Sequence, residues 1–236
     1  MKTNQKLSGM KWSALISVVT ATLMAFAVLP AWAEEGISEP DVLVVEAQKA
    51  FQDFVADPNM GWFRDNLKNA KGILIIPQLI KAGFIFGGTG GSGALVERDG
   101  KTGEWSYPAF YTMGSVTFGL QIGAAADQVM LMVMTQKGVD RLLTSSFKLG
   151  GDISVAAGPV GAGMGGKGVT ADVIAFSRSK GLFGGLTIEG AVIATRDKWN
   201  SEYYGKTASP RDILILRNVS NKQANNLLAA VKEATE

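Results

Sequence analysis

The spacing of apolar positions changes character twice along this chain. Between Ser38 and Asp57, "SEPDVLVVEAQKAFQDFVAD" places Val44, Ala47, Phe51, Phe54 and Val55 on one face of a helix. Ser38 suits its cap, Pro40 and Asp41 suit its first turn, and Pro58 stops it. A short second helix is predicted over 61–69, with Trp62 and Leu67 inward. From Lys71 the period becomes two. "GILIIP" reads as a short apolar strand, and "GFIFGGTGGSGALVERD" as a strand pair bent by glycines. The cleanest alternation is "SVTFGLQIGA": Val116, Phe118, Leu120 and Ile122 on a core face, Ser115, Thr117, Gly119 and Gln121 opposite.

"DQVMLMVM" is apolar on both faces, as expected of a central strand. Met130, Met132 and Met134 form a row that packing explains better than copper(I) ligation. A helix is predicted at "QKGVDRLLTS", then strands at "FKLGGDISVAAG", "GVTADVIAFSRS" and "FGGLTIEGAVIATR". Helical spacing returns in "DKWNSEYYG", after Ser209-Pro210, and after Ser220, where Ala224, Leu227, Leu228 and Val231 share a stripe. The pattern predicts one α+β domain: helical over 38–69, mainly strands over 71–196, helical over 197–235. Its core is a glycine-rich, curved, antiparallel or barrel-like sheet.

The first 33 residues stand outside that fold. Lys2, Lys6 and Lys11 precede an apolar run from Ala14 to Leu29, and Ala31-Trp32-Ala33 is a small-residue cleavage site before Glu34. This pattern predicts a cleaved secretory signal peptide, with 34–236 as the mature domain in the periplasm or peripheral on its membrane. A retained anchor is the alternative; the A-x-A site favours cleavage. The chain has no cysteine, so a lipoprotein is excluded and disulfides play no part. Cleavage also changes the charge balance. Of 23 basic and 21 acidic residues the leader holds three lysines and no acid, so the basic excess belongs to the leader. Overall charge gives no argument for nucleic acid, and contact with an anionic partner must come from a local patch.

The chain also has no histidine. That removes Ser-His and Cys-His nucleophiles, imidazole acid–base chemistry and His-ligated metals, and the reading is of a non-enzyme without a cofactor. Asp152 and Asp172 are the carboxylates an enzymatic alternative would use. "GPVGAGMGGKGVTAD" (158–172) imitates a phosphate loop from Gly161 to Lys167. A phosphate loop needs a helix after the glycines and a hydroxyl after the lysine; here Gly168 and the β-branched "VTADVIAF" follow. With 29 glycines in 236 residues, accidental matches are expected, and the run reads as a turn between strands.

Five ordered segments carry a resemblance: "AKGILIIP" (70–77), "GFIFGGTGGSGALVERDGKTGEWSYPAFYTMGSVTFGLQIGA" (83–124), "DISVAAGPVG" (152–161), "ADVIAFSRSKGLFGGLTIEGAVI" (171–193) and "YYG" (203–205). Over residues 37–233 the chain resembles the SYLF lipid-binding domain family. The resemblance implies a non-enzymatic domain whose partners are membrane lipids. Eukaryotic members are associated with phosphoinositides and fungal ones also with actin; for an exported chain, acidic phospholipid headgroups are the ligand that carries over.

Such binding needs cations beside side chains able to enter the acyl boundary. The best candidate is "SRSKGLFGG" (177–185), with Arg178 and Lys180 for phosphates and Leu182 and Phe183 for insertion. Lys167 lies near it if 152–178 form a hairpin; Lys71 and Lys81, flanking the first strand, are weaker candidates. Phe51 and Phe54 lie in the N-terminal segment that the family uses at membranes, but packing on the sheet uses them equally well. The remaining alternatives are an outer-membrane barrel, which the terminal helices and the ending "AAVKEATE" disfavour, and a scaffold whose protein partner the sequence does not identify.

Overall fold

The computed structural model describes residues 38–83, 86–118, 123–161, 170–178 and 188–236. Helix α1 (Glu39–Ala56) starts where expected, because the Asp41 carboxylate accepts from both Ser38 N (3.2 Å) and Ser38 Oγ (2.7 Å). Helix α2 (Gly61–Asn66) follows. Strands β1 (Gly72–Gly83), β2 (Phe86–Glu97), β3 (Ala109–Phe118) and β4 (Gly123–Val133) lead to α3 (Gln136–Leu142). Then come β5 (Ser146–Lys148), β6 (Val155–Ala157), β7 (Val173–Arg178) and β8 (Val192–Thr195). Helix α4 (Asp197–Tyr204), a π-helical turn (Arg211–Ile215) and α5 (Asn225–Glu233) end the chain.

The fold is α+β, with an eight-stranded sheet in the order β5-β8-β3-β2-β1-β4-β7-β6. Every pairing is antiparallel except β6 with β7, which run parallel. Residues 152–178 are therefore not a hairpin. The segment read as one strand at 147–158 instead supplies β5 and β6, the two opposite edges of the sheet. Seven strand spacings would separate those edges by roughly 34 Å in a flat sheet, whereas seven residues from Lys148 to Val155 reach at most about 25 Å. The sheet must curl for the chain to connect, and Leu149 does bridge Ile153 across the gap. The result is a half-barrel.

Both faces of the sheet are covered. On one, α1, α2, α4 and α5 pack over Ile73, Ile75, Met130, Met132 and Phe176. On the other, α3 and the π-helical turn pack over Leu74, Ile76, Leu131 and Val133. This explains why "DQVMLMVM" is apolar throughout. Phe51 and Phe54 are fully buried, so both are core residues. Phe63 of α2 lies between them and Phe176, at ring-centroid distances of 6.3, 5.8 and 5.2 Å. Each such ring contributes roughly 1.5–3 kcal/mol by burial.

Three local readings change. Pro77 does not end β1: the strand continues to Gly83 through a one-residue bulge between Ile76 and Leu79, a place that tolerates the missing N–H. The bulge backbone crowds β2, and a Cβ on Gly91 would lie 2.5 Å from the Gln78 carbonyl oxygen. The glycines of 83–99 therefore do not divide it into a strand pair; β2 is one continuous strand. "SVTFGLQIGA" is not one strand either, since β3 ends at Phe118 and β4 begins at Gly123. Its alternation crosses a chain reversal, and Val116 is 74% exposed rather than core. After the glycine-rich run, residues 173–178 are strand, so the helix a phosphate loop requires is replaced by β7. No helix among the described residues is long and apolar enough to cross a membrane.

Candidate functional site

β7 delivers Arg178 to the helix-covered face of the sheet, because Ile174 and Phe176 point the same way into that core. It stops beside the end of α1. Arg178 Nε lies 3.3 Å from Asp57 Oδ2 and Nη1 lies 3.7 Å from Asp53 Oδ2. Nη1 also donates to Gln128 Oε1 at 3.3 Å, and Gln128 Nε2 donates to Asp53 at 3.3 Å. The Nε contact is a charge contact rather than a directed hydrogen bond. Lys49, one turn before Asp53, pairs with it at 3.2 Å. Of this network, Arg178, Lys49 and Gln128 line a cleft of about 500 Å³, whose floor is the β1 bulge at Pro77 and Gln78.

The other predicted cations are dispersed. Lys81 pairs with the buried Asp127, and alternation along β1 puts it on the opposite face from Arg178. Lys71 lies at the other end of β1, where its amide donates to Val133 O at 2.8 Å; ten residues of strand separate it from Lys81 by roughly 33 Å. Lys167, Lys180, Leu182 and Phe183 fall outside the described residues.

A second cleft, of about 390 Å³, continues from the first along α1. Sequence reasoning did not find it. Val42 and Leu43 of α1, Ile80 of β1 and Trp199 of α4 form its walls. Arg196 lies over the Trp199 ring at 3.3 Å and donates to Ser92 Oγ at 2.5 Å. Burial lowers its pKa, against the opposing pull of Glu39, which also accepts from Trp199 Nε1 at 3.1 Å. The available signal was the surplus of glycine in β2 and at Gly114, but a glycine required by close packing and one facing open space look identical in sequence.

The two carboxylates of the enzymatic alternative are engaged locally. Asp152 accepts from Lys148 N at 2.7 Å. Asp172 accepts from Thr135 Oγ1 (2.7 Å), Ser154 N (3.0 Å), Ser154 Oγ (2.9 Å) and Lys137 Nζ (3.2 Å), joining the starts of α3, β6 and β7. These donors, led by Thr135, hold its pKa well below the usual carboxylate range. Among the described residues no group of three or more acidic side chains is placed to hold a metal.

A family model described as "Las17-binding protein actin regulator", Ysc84, matches residues 114–234. The chain belongs to the Ysc84 (SYLF) family. The match runs from the middle of β3 to the residue after α5, and so includes β7, Arg178 and Arg196. Among similar proteins, "LAS seventeen-binding protein 3" of Saccharomyces cerevisiae is 38% identical over 156 residues, 64% of this chain and 34% of the relative. "Protein YSC84" of the same organism is 35% identical over 181 residues, covering 72% of this chain and 38% of its own length. The human "SH3 domain-containing YSC84-like protein 1" is 31% identical over 176 residues, 72% and 50% of the two chains. The chain therefore spans about a third to a half of the length of these relatives. The family names describe binding proteins rather than enzymes.

Proposed function

We propose that this Ysc84 domain is a non-enzymatic, exported, membrane-peripheral module that binds acidic phospholipid headgroups. Contact runs through the segment 177–185, with Arg178 and Lys180 on phosphates and Leu182 and Phe183 in the acyl boundary. The observation that carries the reading is the position of Arg178: it ends β7 on the same sheet face as the half-exposed Ile80, two strands away. Its pairing with Asp53 and Asp57 weakens any single phosphate contact, so Lys180 carries more of the attraction. Export follows from the leader pattern, and the mature chain starting at Glu34 is the form that meets the membrane.

Purified mature protein should co-float with anionic liposomes, and Lys180→Glu or Phe183→Asp should reduce the floated fraction. Absence of flotation with every anionic composition tried overturns the proposal. Mass measurement of the protein from an envelope fraction tests export, which requires a start at Glu34. A protein-binding reading is favoured by the family's description and by one surface feature. Ile215 and Leu216 are adjacent and 39% and 54% exposed, next to Arg217 in the left-handed region at φ 52°. Retention of flotation in Leu216→Asp, with loss of a co-purifying protein, would separate that surface from the lipid one.

A further inference from the structure

The cleft beneath α1 has a floor suited to one kind of occupant. Ala126, Ile80, Gly90, Gly114 and Val192 are consecutive partners across β4, β1, β2, β3 and β8, and alternation puts all five on the helix side. Ile80 is 50% exposed and Val192 45%. Among the described residues a Cβ on Gly90 would meet nothing within 4 Å, and one on Gly114 only a sheet carbonyl at 3.6 Å. These glycines are not there for lack of room, although a glycine within a strand weakens it. They keep a smooth trough clear beyond the end of α1's coverage.

The floor strands are interior to the sheet: β1, β2 and β3 are each paired on both sides. Outside the bulge the backbone of the trough is engaged in the ladder and presents no strand edge, so a peptide lying in it would find few partners for its own amides. An aliphatic chain has none to satisfy. The lip carries charge of both signs: Glu39 and Glu46 line the cleft, and Arg196 contacts its lining residues Ser92 and Trp199. Arg196 holds a single side-chain acceptor, Ser92 Oγ, and no carboxylate lies within ion-pair distance of it among the described residues. Glu46, also on the lip, has neither a hydrogen-bond nor an ion-pair partner among the described residues. An anion alone would face Glu46 and Glu39; a cation alone would face Arg196. A zwitterion matches both.

We propose that this cleft takes one acyl chain of a single phospholipid bearing an ammonium head, with the phosphate on Arg196 and the ammonium at Glu46. The inference rests on the lipid-binding reading but uses different residues, and it makes the domain a holder of individual lipid molecules as well as a surface binder.

The test uses lysophosphatidylethanolamine below the concentration at which it forms micelles, with binding followed by native mass spectrometry and titration calorimetry. The expected result is one lipid per chain. Glycerophosphoethanolamine, which lacks the chain, should not bind; lysophosphatidylglycerol, which lacks the ammonium, should bind at least tenfold more weakly. Gly90→Leu fills the trough where a side chain has space, and should lose at least tenfold in affinity with an unchanged melting temperature. If that variant fails to fold, Arg196→Gln serves instead, with an expected tenfold loss. Equal affinity for the two lysolipids, or wild-type affinity in the folded variant, overturns the proposal. Flotation on anionic vesicles without lysolipid binding defeats the cleft and leaves the surface reading standing. Lysolipid binding without flotation does the reverse.

Discussion

Replacing Asp172 separates a structural carboxylate from a catalytic one. Its side chain is 11% exposed and receives four donors from two other elements, the starts of α3 and β6. Hydrogen bonds to a charged group contribute roughly 1.5–3 kcal/mol each, but bonds sharing one carboxylate do not sum. Asp172→Ala also orphans Ser154 N–H, at a cost of about 1–3 kcal/mol. The expected loss for Ala is about 3–5 kcal/mol, comparable to breaking a buried pair. Asn can turn its amide donor to Thr135 Oγ1 and keep its oxygen for Ser154, so it should cost only about 1–2 kcal/mol. Lys137 is 61% exposed, and Lys137→Met should cost less than about 1 kcal/mol.

Urea unfolding at fixed pH measures all three, provided the slope with denaturant is shared. The pH dependence adds a second test. The folded-state pKa of Asp172 is depressed below its ordinary 3.8, so its contribution is present above that value and lost as pH falls through and below it. The wild-type advantage over Asp172→Asn should be largest near neutrality and shrink below about pH 4. Near-equal stability of wild type and Asp172→Ala at neutral pH would refute the account, as would an advantage over Asn that grows on acidification.

Two other outcomes follow from packing and burial. A Cβ on Gly158 would lie 2.1 to 2.5 Å from the Phe176 ring, so Gly158→Ala should destabilise by about 1–3 kcal/mol or more, read from the urea midpoint. Burial raises the pKa of Tyr111, Tyr203 and Tyr204 above the ordinary 10.0, so ultraviolet titration at pH 11 should show far fewer than four phenolates until the protein unfolds. Their stabilising contribution is present below pH 10 and is lost as pH rises beyond it.

Local periodicity was enough to read α1, α5 and β4, because each buries a face set by neighbours in its own sequence. The rejection of the phosphate loop rested on local residues too: the β-branched, apolar stretch after the glycines enters strand β7 at Val173. The bulge at Pro77 was hidden because a proline that ends a strand and one that bulges it leave the same residue. The parallel β6–β7 pair and the separation of β5 from β6 depend on which distant strand is free to accept them. Val116 misled because its apolar–polar spacing is that of a half-covered strand, but its own position on the sheet is left open to solvent. At the candidate site, Arg178 was legible as a charge at a strand end, while Asp53 and Asp57 lie far upstream on a helix whose docking only the fold decides. The trough floor was illegible altogether, since it is a row across five strands and no two of its residues adjoin in sequence.

The edges of the sheet also set an order of assembly. As the chain emerges from its N-terminal end, β1 to β4 can pair with one another in antiparallel contacts, whose loop-closure cost is modest. β5 and β6 cannot follow in turn, because their partners among the described residues, β8 and β7, are made later. Strands β5 and β6 must wait for β8 and β7. A translating or translocating chain therefore passes through a stage with β1–β4 in place and the outer faces of β3 and β4 bare, and it is in that interval that a chaperone has an open strand to hold.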